Sequence, residues 1–232
     1  LTEEQAALCE AEGMLIRHDQ QFHFENHGYT NFDDFLAALS SDKRKNLRKE
    51  RKRAQEGVEI LSLSGADLTT EHWDFFFRCY QDTGSRKWGS PYLNRKFFAL
   101  IHERMADKVL LVIARCLEQD RYIASALNFI GGDALYGRYW GCTEDRKFLH
   151  FELCYYQGID AALARGLKRV EAGAQGEHKL ARGYAPVRTT SAHYVVDQGF
   201  RRALEDYLRR ERNAIAQQIE VLGEYTPFRK DN

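Results

Sequence analysis

The sequence predicts an α+β fold, in which a central mixed, mostly antiparallel sheet is flanked by helices. Three observations predict this class. After Asp107, apolar residues follow a period of two through three consecutive segments, which is typical of an antiparallel meander. A long apolar-faced segment at 147–166 and a short strand at 169–173 come next. Amphipathic segments before and after this block supply the helices that cover such a sheet.

The first half of the chain predicts mainly helices. Residues 1–30 have mixed character. A helix begins near Asn31 or Asp33, either of which can cap it, and runs on to Gly57, a natural C-terminal breaker. A short strand follows at 58–65, and two further helices are predicted at 69–84 and 90–105. Pro91 lies near the start of the second of these, where proline is tolerated.

The second half predicts the sheet. Strands are expected at 109–117, 121–130 and 134–141, joined by the short turns "EQD" and "GGD". The helix at 147–166 leads to the strand at 169–173, and another strand is expected at 191–196. A last amphipathic helix spans 200–222, because its apolar residues recur at helical spacing.

Composition excludes several classes of protein. The 232 residues include 34 basic and 34 acidic ones, so net charge alone predicts no polyanionic partner. Five scattered cysteines without a CxxC pair argue against a disulfide framework or a zinc ribbon. Without an apolar run of membrane-spanning length or a signal peptide, we expect a cytoplasmic protein.

The most strongly charged segment is a basic run at 43–53, which contains eight lysine or arginine residues and one acidic residue, Glu50. On a helix such a run is self-repelling unless an anion is present. It therefore predicts a phosphate-binding surface for RNA or a nucleotide-linked substrate, and the alternative is a solvated helix face. The residues assigned to phosphate binding are Lys43, Arg44, Arg48 and Arg51.

Glu152 lies on the apolar face of the predicted helix at 147–166, beside Phe148, Tyr155 and Tyr156. Burial there should raise the pKa of its carboxyl group unless the group is paired. This position suits a general base or a substrate anchor. The alternative is a structural ion pair with Arg138 or another cation of the sheet.

The stretch at 170–186, "VEAGAQGEHKLARGYAP", places titratable side chains among glycines at a strand end, where open sheets tend to bind ligands. Glycines in such a loop allow the backbone to approach a ligand closely. We predict a binding loop, and the alternative is a solvated turn. Its candidate residues are Glu171, Gln175, Glu177, His178, Lys179 and Arg182.

Other patterns in the sequence are weaker evidence of function. His23 and His27 have HxxxH spacing, but Asn26 and Gly28 argue against the helix that would align them, so no metal site is predicted. Tyr136, Tyr139 and Trp140 on a predicted strand indicate sheet packing first and a groove wall second. Tyr136, Arg138 and Trp140 are kept as candidate substrate-binding residues.

Four segments carry a resemblance to a known family: "FLAALSSDKRKNLRKERKRAQEGVEI", "LYGRYWG", "LHFELCYYQGID" and "EAGAQGEHKLARGYAP". They look like the FemAB-like proteins described as peptidoglycan biosynthesis/recognition. The resemblance implies a GNAT-like (acyl-CoA N-acyltransferase) fold. It further implies that residues 1–30 are the remnant of a preceding GNAT-like half of the same protein and that 31–232 form the acyltransferase domain.

Activity follows from the same resemblance. Fem ligases move an amino acid from aminoacyl-tRNA to a cell-wall precursor amine. The motif order is also similar to that of leucyl/phenylalanyl-tRNA–protein transferases, whose helix glutamate and strand-end acid and glutamine match Glu152, Glu171 and Gln175. The glycine-rich CoA loop of common GNAT enzymes is absent before Glu152, which favours an RNA-borne donor.

The resemblance therefore implies an N-acyltransferase with aminoacyl-tRNA as favoured co-substrate and no tightly bound cofactor. Glu152 or Glu171 is expected to hold or deprotonate the acceptor amine, and His178 or Gln175 to contact the reacting carbonyl or leaving hydroxyl. Lys179 and Arg182 are expected to hold phosphates together with the basic run. The alternatives are an acyl-CoA-dependent N-acetyltransferase and a non-catalytic GNAT-fold binding protein.

Overall fold

The computed structural model describes residues 1–86 and 91–229. Its α-helices are α1 Glu3–Ala11, α2 Phe32–Ala38, α3 Ser41–Ala54, α4 Thr70–Arg86, α5 Arg95–Met105, α6 Leu149–Phe151, α7 Gln157–Ala164 and α8 Gln198–Gly223. Its strands are β1 Leu15–Glu25, β2 Val58–Leu63, β3 Val109–Cys116, β4 Arg121–Ile130, β5 Ala134–Cys142, β6 Arg169–Glu171 and β7 Ala185–His193. No helix within the described ranges combines the length and the apolar character that a membrane crossing requires.

The chain divides into two compact units. The terminal unit consists of Leu1–His23 and Gly173–Pro227, and the central unit of Phe24–Ala172 with Phe228–Asn232. The boundary predicted at residue 30 therefore falls within the central unit, whereas the structure divides the chain after His23 and again after Ala172.

The sheet of the central unit has the order β2-β3-β4-β5-β6. Its pairs are antiparallel except for β5 and β6, which are parallel because a helical crossover joins them. This arrangement confirms the α+β class, the mixed and mostly antiparallel sheet, and the GNAT-like succession of meander, helix and parallel strand.

Helices cover this sheet because β3 is apolar on both faces, with every residue from Val109 to Ala114 buried. On one face, α4 and α5 pack their aromatic residues against Leu111 and Ile113. The helical segment 149–164 contacts β3, β4 and β5 and is itself largely buried, so its side chains are fixed by packing.

In the terminal unit, β1 pairs with β7 in antiparallel register from Leu15↔His193 to His23↔Ala185. The strand expected at 191–196 therefore lies earlier in the chain than predicted, because pairing with β1 selects its position. The helix predicted at 200–222 is confirmed as α8, and Arg17 of β1 holds Glu211 of α8 through two hydrogen bonds of 2.9 Å.

Two predicted helices differ from the structure. The continuous helix expected from Asn31 to Gly57 is wrong, because Leu39 is extended, fully buried and bridged to Phe228, which separates α2 from α3. Asn94 caps α5 through its side chain, so Pro91 precedes that helix. The predicted start of this helix at residue 90 lies outside the described residues.

Candidate functional site

One edge of β5 is open along most of its length. β6 pairs with β5 only from Ala134↔Arg169 to Tyr136↔Glu171, whereas β5 continues to Cys142. Within the ranges that the structure describes, no strand pairs with that side of β5 from residue 137 onward. The carbonyl oxygen of Trp140 accepts a 2.9 Å hydrogen bond from Oγ1 of Thr83, and other backbone N–H and C=O groups on an unpaired edge are available to an extended ligand.

A β-bulge lies where β5 and β6 separate. Leu127 pairs with Tyr139 and Asn128 with Gly137, so Arg138 is an extra residue without a partner on β4. A Cβ on residue 137 would lie 3.3 Å from the carbonyl oxygen of Glu171, and glycine therefore permits this close approach of β6. Bulges bend a strand and occur often beside active sites, so this bulge marks the candidate site.

The three predicted substrate-binding residues all lie on β5 at this open edge. Tyr136 and Arg138 are exposed, and the Arg138 guanidinium lies 5.1 Å from the centre of the Tyr139 ring. Burial is the main cause that raises the pKa of Tyr139 to about 12, and its hydrogen bond with the Tyr92 hydroxyl raises the pKa further. Trp140 is half-buried, and its ring contacts that of His150 at 5.1 Å between centroids.

The helical segment that carries Glu152 is irregular. Phe148, just before α6, has left-handed backbone with φ 67°, which is uncommon for an aromatic residue. A π-helical turn, Glu152–Tyr156, separates α6 from α7. Left-handed residues and π-turns are both found often at functional sites. The contact of His150 with Trp140 links this segment to the open edge of β5.

Glu152 is fully buried, and its two carboxylate oxygens differ. Oε1 accepts hydrogen bonds from Nε2 of Gln157 at 2.7 Å and Nε2 of Gln55 at 2.9 Å. It also lies 3.3 Å from Nε of Arg51. Oε2 is buried without a hydrogen-bond partner among the described residues. A buried acceptor without a partner is expensive, so Oε2 is the atom with unused binding capacity.

Burial is the main cause of a raised pKa at Glu152. The charge of Arg51 and the hydrogen bonds from Gln157 and Gln55 partly offset this effect by lowering the pKa of Glu152. The charge of Asp160 raises that pKa further. The carboxyl group therefore binds a proton more tightly than an exposed glutamate does, as is required of a base that works near neutral pH.

Arg51 of α3 is the cation that pairs with Glu152, so the alternative partner Arg138 is not used. Its guanidinium also pairs with Asp160 and lies 4.3 Å from the centre of the Phe32 ring. These contacts fix one turn of α3 to the helical segment that carries Glu152. Tyr156 of that segment reinforces the attachment by donating a 2.7 Å hydrogen bond to Glu50 of α3.

The other predicted phosphate-binding residues lie elsewhere on α3. Arg48 is exposed and forms an ion pair with Asp33 at 3.0 Å. Lys43 and Arg44 lie in the first turn and make no ion pair with the part of the chain that the structure describes. Lys43 is exposed and Arg44 half-buried.

Three further lysines of α3 form a stripe that was not singled out among the site residues. Lys45, Lys49 and Lys52 are exposed and recur at positions i, i+4 and i+7, on the face opposite the buried Leu47 and Ala54. They make no ion pair with the described ranges of the chain. Once 41–54 is known to be a helix, the helical spacing of these lysines relative to the buried Leu47 is enough to identify the stripe.

Glu171 ends β6 and is held by Arg169, whose Nε lies 2.9 Å from its carboxylate. Arg169 also pairs with Asp133 at 2.8 Å. Glu25 belongs to the same group, and burial is the main cause of its raised pKa, which the Arg169 charge opposes. Glu171 therefore lies in a charged cluster in which Arg169 is shared among acids.

The loop residues Gln175, His178, Lys179 and Arg182 belong to the terminal unit. Gly176 has φ 96°, and a Cβ there would lie 2.4 Å from the His178 ring, so glycine makes room for this imidazole. Gln175 and His178 are exposed. Desolvation, followed by the charges of Arg182 and Lys179, lowers the pKa of His178 below its usual 6.5, so its imidazole is neutral at neutral pH.

Lys179 and Arg182 are buried and contact their own loop. Nζ of Lys179 donates to the carbonyl oxygen of Gly173 at 3.1 Å, and a guanidinium nitrogen of Arg182 donates to that of His178 at 2.6 Å. These contacts fix the backbone on either side of His178. No group of three metal-ligating side chains occurs in the residues that the structure describes.

The structure thus groups the predicted residues in two places. Glu152, Arg51 and the β5 residues lie in the central unit, together with Glu171 at the end of β6. His178, Lys179 and Arg182 lie together in the terminal unit, joined by the contacts within their loop. Gln55 and Gln157, which hold Oε1 of Glu152, are contacts that the sequence did not indicate.

Solved structures share the fold. L-PGS from Bacillus licheniformis matches with a TM-score of 0.60 at 12% identity, over 89% of this chain and 70% of that one. FemX matches with a TM-score of 0.56 at 12% identity, over 80% and 64%. The C-terminal domain of a putative lysylphosphatidylglycerol synthetase from Agrobacterium fabrum matches with a TM-score of 0.53 at 9% identity, over 78% and 55%.

No curated protein matches this sequence. A family model, FemAB-like, described as peptidoglycan biosynthesis/recognition, matches residues 1–230. This match covers nearly the whole chain, including the open edge of β5, the helical segment with Glu152 and the loop with His178. The chain belongs to the FemAB-like family.

Proposed function

We propose that this protein is an acyltransferase that forms an amide bond between an activated acyl donor, with aminoacyl-tRNA favoured, and an amine acceptor. Membership in the FemAB-like family supports transfer in peptidoglycan biosynthesis or recognition. The observation that carries the proposal is the fully buried carboxylate of Glu152, whose Oε2 has no hydrogen-bond partner among the described residues.

The proposed reaction needs three things from the protein. The acceptor arrives as an ammonium and must lose a proton before its nitrogen can attack the ester carbonyl. The attack places negative charge on the carbonyl oxygen, which hydrogen-bond donors must stabilise. The carbon–oxygen bond to the donor then breaks, and the leaving ribose hydroxyl receives a proton. The products are an amide and a deacylated tRNA.

Glu152 is assigned to the acceptor amine. Because Oε1 is already engaged by Arg51, Gln55 and Gln157, an incoming ammonium is directed to Oε2. The raised pKa allows the carboxylate to take a proton from it. Since the carboxyl group is fully buried, the acceptor reaches Oε2 only if the side chains that cover it move aside.

The open edge of β5 is assigned to the donor. The bulge at Arg138 frees backbone groups from the ladder with β4, and no strand covers the other side of β5 beyond Tyr136 in the described ranges. Backbone N–H groups held by a rigid sheet are suitable donors to a developing oxyanion, because they need no reorganisation during the reaction. Arg138 and Tyr136 are exposed at the same edge and are assigned to the donor's polar groups.

The contact predicted between His178 and the leaving group stays a prediction, and the observations on His178 concern its own loop. The lowered pKa of His178 keeps the imidazole neutral and able to exchange protons at neutral pH, and Gly176 leaves room for its ring. Gln175 is exposed on the same loop. Lys179 and Arg182 are assigned to positioning this loop through its carbonyl groups.

The exposed lysine stripe of α3 is assigned to the phosphates of the donor. Lys45, Lys49 and Lys52 leave their charges unpaired in the described part of the chain, and such a row suits a phosphate backbone. This feature favours aminoacyl-tRNA over acyl-CoA, which offers fewer phosphates. A non-catalytic binder would use the same stripe without needing Glu152.

The test is a transfer assay with aminoacyl-tRNA and a peptidoglycan-precursor amine, in which Glu152→Gln is compared with wild type. We expect kcat/KM to fall by about 100-fold or more, because a positioned base typically contributes this much. Glu220→Gln on the exposed face of α8 is the matched control and should retain full activity.

The same assay separates the alternatives. If Glu152→Gln loses stability yet keeps its transfer rate at a temperature where it is folded, the carboxylate is only a structural ion-pair partner. Transfer with acetyl-CoA but not with aminoacyl-tRNA would identify an N-acetyltransferase. Binding of tRNA without transfer from either donor to a panel of amines would identify a binding protein.

A further inference from the structure

A cleft of about 560 Å³ lies apart from the residues assigned above, between α4 and the β3–β4 hairpin. Glu71, Phe75 and Arg78 line it from α4, and Tyr122 lines it from β4. The three α4 residues stand at positions i, i+4 and i+7, so they share one face of the helix. The cleft therefore presents an acid, an aromatic ring and a base in that order along α4.

The middle of the cleft is aromatic. The rings of Phe75 and Tyr122 lie 5.4 Å apart, and Phe75 is buried. Burial is the main cause of a raised pKa at Tyr122, and the charge of Glu71 raises it further. The half-buried Tyr122 ring, backed by the buried Phe75 ring, forms an apolar floor on which methylene groups can pack.

Most charges around the floor are already balanced. Arg115 pairs with Glu59 at 2.8 Å and with Asp120 at 3.2 Å. Arg121 pairs with Glu144. These two arginines are therefore engaged by acids of the protein and are poorly placed to bind a further anion.

Two opposite charges remain at the ends of the floor. Glu71 and Arg78 form no ion pair or hydrogen bond with the described residues. Arg78 lies with its guanidinium 5.5 Å from the centre of the Phe75 ring. The two positions are seven residues apart on α4, which is about 10 Å along a helix axis. The cleft is therefore complementary to an elongated molecule with a cation at one end and an anion at the other.

We infer that this cleft binds a C-terminal lysine residue of a peptide, through its α-carboxylate, its methylene chain and its ε-ammonium. The carboxylate is matched to the planar guanidinium of Arg78, and the ammonium to Glu71. The methylenes cover the half-buried ring of Tyr122, which Phe75 backs. A free amino acid is a poorer match, because its α-ammonium brings a second positive charge next to Arg78. This inference does not depend on the proposed function.

The probe is 6-aminohexanoate, which has both charges and five methylenes, titrated into the full chain and followed by NMR. We expect saturable binding, with hexanoate and hexylamine each at least about tenfold weaker, because each lacks one charged hydrogen bond. Nα-acetyl-lysine should bind more tightly than free lysine. Glu71→Gln and Arg78→Gln should each weaken 6-aminohexanoate by at least about fivefold.

Arg202→Gln, at an exposed position of α8, is the control and should leave binding unchanged. Thermal melting shows whether each variant is folded. Absence of saturable binding overturns the inference, and so does equal binding of hexanoate or equal binding by the Glu71→Gln variant. Tighter binding of free lysine than of Nα-acetyl-lysine overturns the assignment to a peptide C-terminus.

Discussion

Both faces of α3 carry basic residues, but those of the inner face are paired with acids and those of the outer face are exposed to solvent. On the inner face, Arg51 pairs with Glu152 and Asp160 and covers the Phe32 ring. On the outer face, Lys45 and Lys49 are exposed, as is Lys52 one turn further, and none of these has an ion pair with the described residues.

The basic run at 43–53 is therefore not one functional unit. The inner arginine compensates a buried carboxylate, so its role is to stabilise the fold and to adjust the pKa of Glu152. The outer lysines make no ion pair with the described residues and remain available to an external polyanion. Experiments on both faces of α3 can test this difference.

The largest effect is expected at the inner face. Arg51→Ala leaves Glu152 buried without its cation, and breaking a buried pair on one side typically costs about 3–5 kcal/mol of unfolding free energy. Lys49→Ala on the outer face should change that free energy by less than about 0.5 kcal/mol. Urea unfolding of both variants checks the difference.

An exposed ion pair on the same helix provides the internal reference. Arg48 and Asp33 lie 3.0 Å apart with side chains 57% and 79% exposed, so a double-mutant cycle should give a coupling below about 1 kcal/mol. If Arg51→Ala were no more destabilising than Arg48→Ala, the distinction between the two faces would be lost.

The next effect is expected at the outer face and concerns binding. Replacing Lys45, Lys49 and Lys52 together by glutamine should lower the slope of log affinity against log salt for tRNA by about 2 to 3, because each lost phosphate contact contributes about 0.7–0.9. Fluorescence anisotropy at several salt concentrations measures this slope.

A triple glutamine variant on α8, at Arg202, Arg209 and Arg210, removes the same charge from the terminal unit and should leave the slope nearly unchanged. Equal slopes for the α3 variant and wild type would show that the outer lysines do not contact the polyanion.

The smallest effect is a pH dependence at the inner face. The folded-state pKa of Glu152 is raised above its usual value of 4.5, mainly by burial, so protonation stabilises the folded state. This stabilisation is fully present below the usual value and is lost as pH rises through the raised pKa. Glu152→Gln cannot titrate, so the free energy of unfolding of wild type should fall relative to that of the variant as pH rises.

Urea unfolding of both proteins from about pH 4 to about pH 8 measures the effect, which amounts to about 1.4 kcal/mol for each unit of pKa shift. Parallel pH profiles for wild type and Glu152→Gln would show that the carboxyl group has the same proton affinity in the folded and unfolded chains.

Local residue patterns were sufficient to predict several elements of this protein. Three short apolar segments separated by turns between 109 and 142 predicted the meander, although β3 is buried on both faces and does not alternate. Helical spacing placed Glu152 on an apolar face, where the structure finds it fully buried. Side-chain alternation and helical periodicity depend only on near neighbours, so they can be recognised without a structure.

The partners of these elements depend on how the whole chain packs. The cation of Glu152 is Arg51, about one hundred residues earlier, and the break between α2 and α3 depends on a bridge from Leu39 to Phe228. The open edge of β5 exists because β6 ends at Glu171. These features arise from contacts between distant residues, which the packing of the whole chain selects and no local pattern records.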